Sequence, residues 1–300
     1  GVIPSSHRLA VDMPVGHRLW KDADAVLAIG TRFFIQNGSW GIDKNLKVVR
    51  LDIDPDEPDR FRKPDAALVG DAATQLRALI AALPKHNRAR TSRSEELKGH
   101  RAWLTERLSR LEPQVGFLKA IRAALPEDGI FVDEVSQMGF ASRVALPIEK
   151  PRTYLSPGYQ DNLGWGFGTA LGAKAAMPHK KVLAIAGDGG FMYQVGELAT
   201  AARHNLAVVV VVFDNGAFGN VKRIQQQHYG NRLIASDLHN PDFAKLAESF
   251  GVASFKATDP RQLEEALHKA FALNAPALVW VPHGDVPSPW DMIMMPRVRG

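Results

Sequence analysis

The feature that most constrains the fold is a pair of uncharged apolar runs, residues 182–186 and 206–213, separated by Gly187-Asp188-Gly189-Gly190 and a stretch of helical length, residues 193–204. Neither run alternates apolar with polar residues, so each reads as a strand buried on both faces. A strand, a helical crossover and a second strand make a right-handed βαβ unit, which sets the two strands parallel with both carboxyl ends on one sheet edge. Neighbouring strands lie about 4.8 Å apart. Asp188 leaves the first strand and Asp214-Asn215 close the second, so oxygen-bearing side chains remote in sequence are predicted to stand at adjacent strand ends.

A carboxylate beside an amide suits a hard divalent cation. Mg2+ takes oxygen ligands at about 2.0–2.1 Å and commonly uses one or two carboxylates together with phosphate oxygens. Gly187, Gly189 and Gly190 let a phosphate group approach the backbone, and the helix that follows offers free N–H groups and its positive dipole end. The same residues also fit a plain strand-to-helix turn, with Asp188 as a helix cap and Asn215 in a loop. The residue types leave both readings open.

The wider pattern supplies more. Gly187-Asp188-Gly189, a run ending Gly196-Glu197-Leu198, and a hydrophobic strand closing on Asp214-Asn215-Gly216-Ala217-Phe218-Gly219 resemble the thiamine diphosphate motif of the acetolactate synthase and 2-oxo acid decarboxylase family. The resemblance implies Mg2+ bound through the side chains of Asp188 and Asn215 and the carbonyl of Ala217. Asp214 stands where the family usually has asparagine, at a position that is not a ligand. Two further loops carry the likeness. Val135-Ser136-Gln137-Met138 matches a loop that helps hold the diphosphate, which makes Ser136 and Gln137 cofactor candidates, a helix cap being the competing role. Leu163, aligned on Gly172-Ala173, falls where the family places the apolar residue that props thiamine into its bent shape, and plain core packing is the competing role there.

Around this motif the chain reads as α/β throughout. Residues 24–30, 47–53 and 67–70 look like short parallel strands, followed by a helix over 72–83 that Pro84 stops. They resemble part of the family's central domain, and the resemblance implies that the chain enters that domain partway at Gly1. Gly30 lacks the context of a dinucleotide fingerprint and reads as a turn, and Phe33-Phe34-Ile35-Gln36 replace the acidic and arginine residues that accompany FAD in acetolactate synthases, so FAD is not expected. A second sheet is predicted from six strands, 130–132, 153–155, 182–186, 208–213, 252–255 and 277–281, mostly alternating with helices. The expected organisation is thus two doubly wound, mostly parallel sheets: a partial central domain (1–84), a basic linker (85–112) and a diphosphate- and Mg-binding domain (113–300).

Composition narrows the class. The chain has 300 residues, 45% hydrophobic and 23% charged, as a soluble globular protein does. No apolar run approaches the roughly 20 residues of a membrane span. The absence of cysteine excludes a disulfide framework and fits a reducing, cytoplasmic setting. The net charge of +5 is concentrated partly in residues 85–93, which contain no aromatic residue, so a solvated linker is favoured over a nucleic-acid groove.

The resemblance implies an enzyme that decarboxylates small, pyruvate-like 2-oxo acids with thiamine diphosphate and Mg2+ and transfers the remainder to a second carbonyl compound. The thiazolium ring accepts the electrons released as CO2 departs. The family's activating glutamate lies on a pyrimidine-binding domain that matches nothing here, so that domain or a separate subunit is an expected partner, within a homo- or hetero-oligomer. Rival readings are a non-ligating decarboxylase of the benzoylformate type, a cofactor-binding module inactive by itself, and a nucleotide-binding protein of the Rossmann type.

Overall fold

The computed structural model describes residues 2–86, 91–158 and 160–300. Residues 87–90 of the basic run, expected as a solvated linker, lie outside the described residues. The chain forms two compact units, Val11–Leu104 with Asp291–Gly300, and Thr105–Trp290 with the residues up to Ala10. These bounds differ from the expected division. The last ten residues pack with the first sheet, because Met295 joins its apolar cluster and the Arg299 guanidinium donates to the carbonyls of Trp20 (2.7 Å), Lys21 (3.0 Å) and Ala23. The tail, residues 291–300, has no helix or strand periodicity that signals that anchor.

In the smaller unit, α1 (Met13–Trp20) precedes β1 (Ala25–Ile29), β2 (Lys47–Asp52) and β3 (Ala66–Val69), then α2 (Ala72–His86) and the first part of α3 (Ser94–Leu108), whose residues from Thr105 on belong to the larger unit. The strands pair in the order β1-β2-β3, all parallel. Trp20, Phe33, Trp40, Leu46 and Val48 fill the core, so Phe33 serves packing. Gly30 turns the chain off β1 with a φ of 53°, as its expected role requires. Pro84 does not end α2, which continues to His86. That helix buries none of its side chains, so the distortion a proline imposes disturbs no packing. The expected linker is also partly ordered: α3 occupies its centre and buries Leu97 and Leu104.

The larger unit holds α4 (Gln114–Ala124), β4 (Ile130–Val132), α5 (Gln137–Ala145), β5 (Tyr154–Leu155), α6 (Gly166–Ala176), β6 (Val182–Gly187), α7 (Asp188–Met192), α8 (Glu197–Arg203), β7 (Val208–Asp214), α9 (Gly219–His228), α10 (Phe243–Ser249), β8 (Ala253–Lys256), α11 (Pro260–Ala272) and β9 (Ala277–Pro282). The six strands lie parallel in the order β5-β4-β6-β7-β9-β8, so the chain is α/β with two parallel-only sheets, as expected. Side chains alternate across each strand. Val182, Ala184, Ala186, Val208, Val210 and Val212 join one buried cluster with Phe167, Leu198 and Phe243, while Leu183, Ile185, Val209, Val211 and Phe213 are buried on the other face. Both faces being covered, the runs stay apolar without alternation.

One expected element is displaced. Within the run over 193–204 only α8 (Glu197–Arg203) is helical, and a separate short helix, α7, precedes it, winding directly off β6 from Asp188 to Met192. Gly189 and Gly190 carry no β-carbon and allow the chain to coil at once. The apolar spacing alone placed the helix later.

Candidate cofactor and metal site

Strands β6 and β7 are paired so that Gly187 faces Phe213. Asp188 and Asp214-Asn215 therefore leave adjacent strands at the same edge, the carboxyl edge where ligands of such sheets sit. The loops after β4, before α6, after β6 and after β7 enclose a single cleft. It is lined by Ser136, Gln137, Leu163, Gly187, Asp188, Gly189, Gly190, Asn215 and Ala217, which is every residue singled out from the sequence.

Asp188 is 2% exposed, and its carboxylate accepts from the Ala217 N–H at 3.2 Å and from the Asn240 amide at 2.7 Å. The N-cap position of α7 is Gly187, so Asp188 reaches across to the β7 loop instead of capping its own helix. Burial pushes its carboxyl above the ordinary range, the Asn240 and Gly189 N–H groups oppose this, and the Asp214 charge adds to it. Its donors being a backbone N–H and a neutral amide, with the Asp214 carboxyl alongside, the negative charge is buried without a compensating cation among the described residues. Such a charge is costly unless paired or bound to a metal. Asp214 is not idle beside it. Its carboxylate accepts from Asn240 at 2.7 Å, Gly216 N–H at 3.1 Å and the Trp280 indole at 2.9 Å, which ties the end of β7 to β9 and, through Asn240, to Asp188.

The β4 loop divides its labour. Ser136 caps α5, its hydroxyl accepting from the Gly139 N–H at 3.0 Å, so the competing reading for that residue holds in the structure while the residue still lines the cleft. Gln137 does not share that role: its Oε1 is buried without a hydrogen-bond partner. A buried acceptor left open in a cleft is a place for a ligand's donor or a metal-bound water.

Leu163 lines the cleft and is half-buried, outside the apolar core. Its loop is fixed by Glu134, which is 1% exposed. The carboxylate accepts from the N–H groups of Gly166 (2.7 Å), Gly164 (3.1 Å), Val135 (3.1 Å) and Trp165 (3.5 Å). Burial raises the Glu134 carboxyl above its ordinary value and these N–H groups pull it back. Gly164 adopts a φ of 76°, and a β-carbon there would lie 2.7 Å from the Tyr193 β-carbon, so only glycine closes this turn. A β-carbon on Gly189 would come within 2.4 Å of the Phe218 ring.

Three further groups were not legible in the sequence. Asp133 is fully buried at the end of β4 and binds Arg143 (2.9 Å), which in turn grips Asp161 at the cleft wall (2.7 Å). His283, just beyond β9, lines the cleft, and burial holds its imidazole below the ordinary value. Asn240 sits in a loop 52 residues from Asp188. None belongs to a motif, and only strand order brings them together.

The residues present fit a metal-bound diphosphate: a buried carboxylate without a cation, an open Gln137 acceptor and a glycine-lined turn. Among the described residues no group of three or more His, Cys, Asp or Glu could hold a metal, so a cation here would draw part of its shell from the ligand's own oxygens. A doubly wound parallel sheet with such a cleft at its carboxyl edge defines an open α/β protein whose ligand site lies beyond the strand ends. Comparison with known families is more specific. Residues 134–281 match the thiamine pyrophosphate enzyme C-terminal TPP binding domain and residues 1–79 the thiamine pyrophosphate enzyme central domain. The chain belongs to the thiamine pyrophosphate enzyme family. It is 33% identical to a probable acetolactate synthase large subunit of Methanocaldococcus jannaschii over 93% of this chain and 50% of that protein. It is also 31% identical to the acetolactate synthase of Mycobacterium bovis over 98% and 51%, and 29% identical to a probable 2-ketoarginine decarboxylase of Pseudomonas aeruginosa over 89% and 48%. The chain thus spans about half the length of the curated relatives it matches.

Proposed function

We propose that this chain is the cofactor-binding part of an acetolactate synthase-like enzyme that decarboxylates small, pyruvate-like 2-oxo acids and ligates the remainder to a second carbonyl compound, using thiamine diphosphate and Mg2+. The observation that carries the reading is the buried Asp188 carboxylate, with no cation beside it among the described residues and a second carboxyl, Asp214, next to it, at a strand end beside Asn215 and a glycine turn. Asp188, Asn215 and the Ala217 carbonyl would hold the cation, and Gly187, Gly189, Gly190, Ser136 and Gln137 the diphosphate. Bound there, thiamine diphosphate supplies an electron sink for loss of CO2.

The chain's own residues orient and enclose. Asn240 holds the Asp188 and Asp214 carboxylates in place, which keeps Asp188 aimed into the cleft. Glu134 fixes the loop that presents Leu163 as an apolar prop. Buried β6 and β7 keep both supports rigid, which lets a site hold its geometry. The glutamate that the family resemblance sets beside the cofactor's pyrimidine would come from a pyrimidine-binding domain, in a longer form of this chain or in a second subunit, and turnover is proposed for that assembly. A cytoplasmic setting accords with the lack of cysteine.

Likeness to the 2-ketoarginine decarboxylase favours a second reading, decarboxylation without ligation. Product analysis separates the two. The assembled enzyme given pyruvate is expected to release acetolactate, and acetaldehyde as the main product would establish the second reading.

A further inference from the structure

A second, polar pocket opens beside the cleft. It shares Gln137, Asn215 and Gly219 with the cleft and is closed by Lys222, Arg223 and Asp285. The two cations, neighbours on α9, are in unlike states. Lys222 is neutralised by Asp237 at 2.7 Å, with the Asp285 charge adding to the same effect. Arg223 binds only neutral oxygens, Gln227 Oε1 at 2.7 Å and Asn220 Oδ1 at 3.0 Å, and its Nε is buried without a partner. Among the described residues no carboxylate lies within ion-pair distance of it. The guanidinium stands 5.7 Å over the Trp290 ring, and the Trp290 indole donates to the same Asn220 oxygen at 2.8 Å. Asn220 thereby fixes ring and cation together.

A half-buried, braced guanidinium without an anion is a costly arrangement that a ligand's anion relieves. We propose that Arg223 reads an anionic group on the second carbonyl compound, so that the enzyme ligates the remainder of its pyruvate-like donor to a 2-oxo acid bearing a carboxylate or comparable anion beyond its 2-oxo acid head. The assignment rests on the cofactor reading of the adjoining cleft and specifies the acceptor class that cleft serves. Asp285, which also lines the pocket, disfavours anions placed away from the guanidinium, which sharpens the selection.

Two probes of equal carbon number, 2-oxoglutarate and 2-oxovalerate, differ by the terminal carboxylate. Their affinities are measured by calorimetry on the full chain, with and without Mg2+ and thiamine diphosphate, for wild type, Arg223→Gln and Arg223→Lys. We expect 2-oxoglutarate to bind about tenfold more tightly or better, since a hydrogen bond to a charged group is worth about 1.5–3 kcal/mol. Arg223→Gln should abolish that preference and Arg223→Lys keep part of it, both with wild-type cofactor affinity. Equal affinity for the two acids in wild type, or no binding of either, overturns the proposal. So does an equal loss for both acids in Arg223→Gln, which would place the 2-oxo acid head on the guanidinium, or a loss of cofactor affinity, which would place the diphosphate there. If thiamine diphosphate fails to bind while the preference and its loss persist, the cleft reading falls and the role of Arg223 as an anion reader stands.

Discussion

Glu134 shows how one side chain can hold a site that it does not touch. Its carboxylate satisfies backbone N–H groups from Val135 to Gly166, and an amide in its place would turn a donor toward some of them. We expect Glu134→Gln to lower stability by roughly 1.5–3 kcal/mol, read from urea unfolding, and to weaken thiamine diphosphate binding, because the Leu163 loop loosens. His283 gives a pH signature. Burial lowers its value from the ordinary 6.5, outweighing the Gly284 carbonyl and the Asp214 and Asp285 charges that raise it. On acidification the unfolded chain takes up that proton first, so the contribution is complete above about pH 6.5 and is lost as pH falls toward the lowered value. Unfolding free energies at pH 7.5 and 5.5 should therefore differ less in His283→Gln than in wild type, and an equal difference would remove His283 from this role. The placement of Asp188 and Asn215 at one cleft was legible because each follows a strand buried on both faces, and those strands pair side by side. Glu134 and Asn240 were not, since their partners are backbone groups and side chains that only the folded chain brings near.

At the scale of elements, β6 and β7 were legible almost to the residue, because strands buried on both faces must be continuously apolar. The helix between them was misplaced, since its start depends on what glycine permits and not on apolar spacing. Leu163 stands between these cases. The competing role was core packing, yet the structure leaves it half-buried at the cleft. Its truncation should therefore cost less than the roughly 2–5 kcal/mol of a core Leu→Ala change. We expect Leu163→Ala to fold and to bind thiamine diphosphate roughly tenfold more weakly, the effect of about 1.4 kcal/mol of lost contact. Marked destabilisation with unchanged cofactor affinity would restore the core role.

For the whole molecule, the sequence showed two parallel sheets because apolar strands recur between helices, but it concealed the return of residues 291–300 to the first sheet. That return depends on Arg299 meeting main-chain carbonyls, which leave no trace in residue type. The cofactor-binding half alone should not sustain turnover. We expect the purified 300-residue chain with Mg2+ and thiamine diphosphate to give no steady decarboxylation of pyruvate, and activity to appear once a pyrimidine-binding partner is supplied. Beneath this lies the claim that Asp188 anchors a cation that in turn holds the diphosphate. Calorimetric titration of thiamine diphosphate into wild type and Asp188→Ala, each with and without Mg2+, tests it directly. Loss of ligands that merely orient a metal's own ligands costs about 10–100-fold in affinity, so loss of the sole charged ligand should exceed that. Binding that requires Mg2+ in wild type and is abolished in Asp188→Ala is the expected result, and unchanged affinity in Asp188→Ala would contradict the assignment.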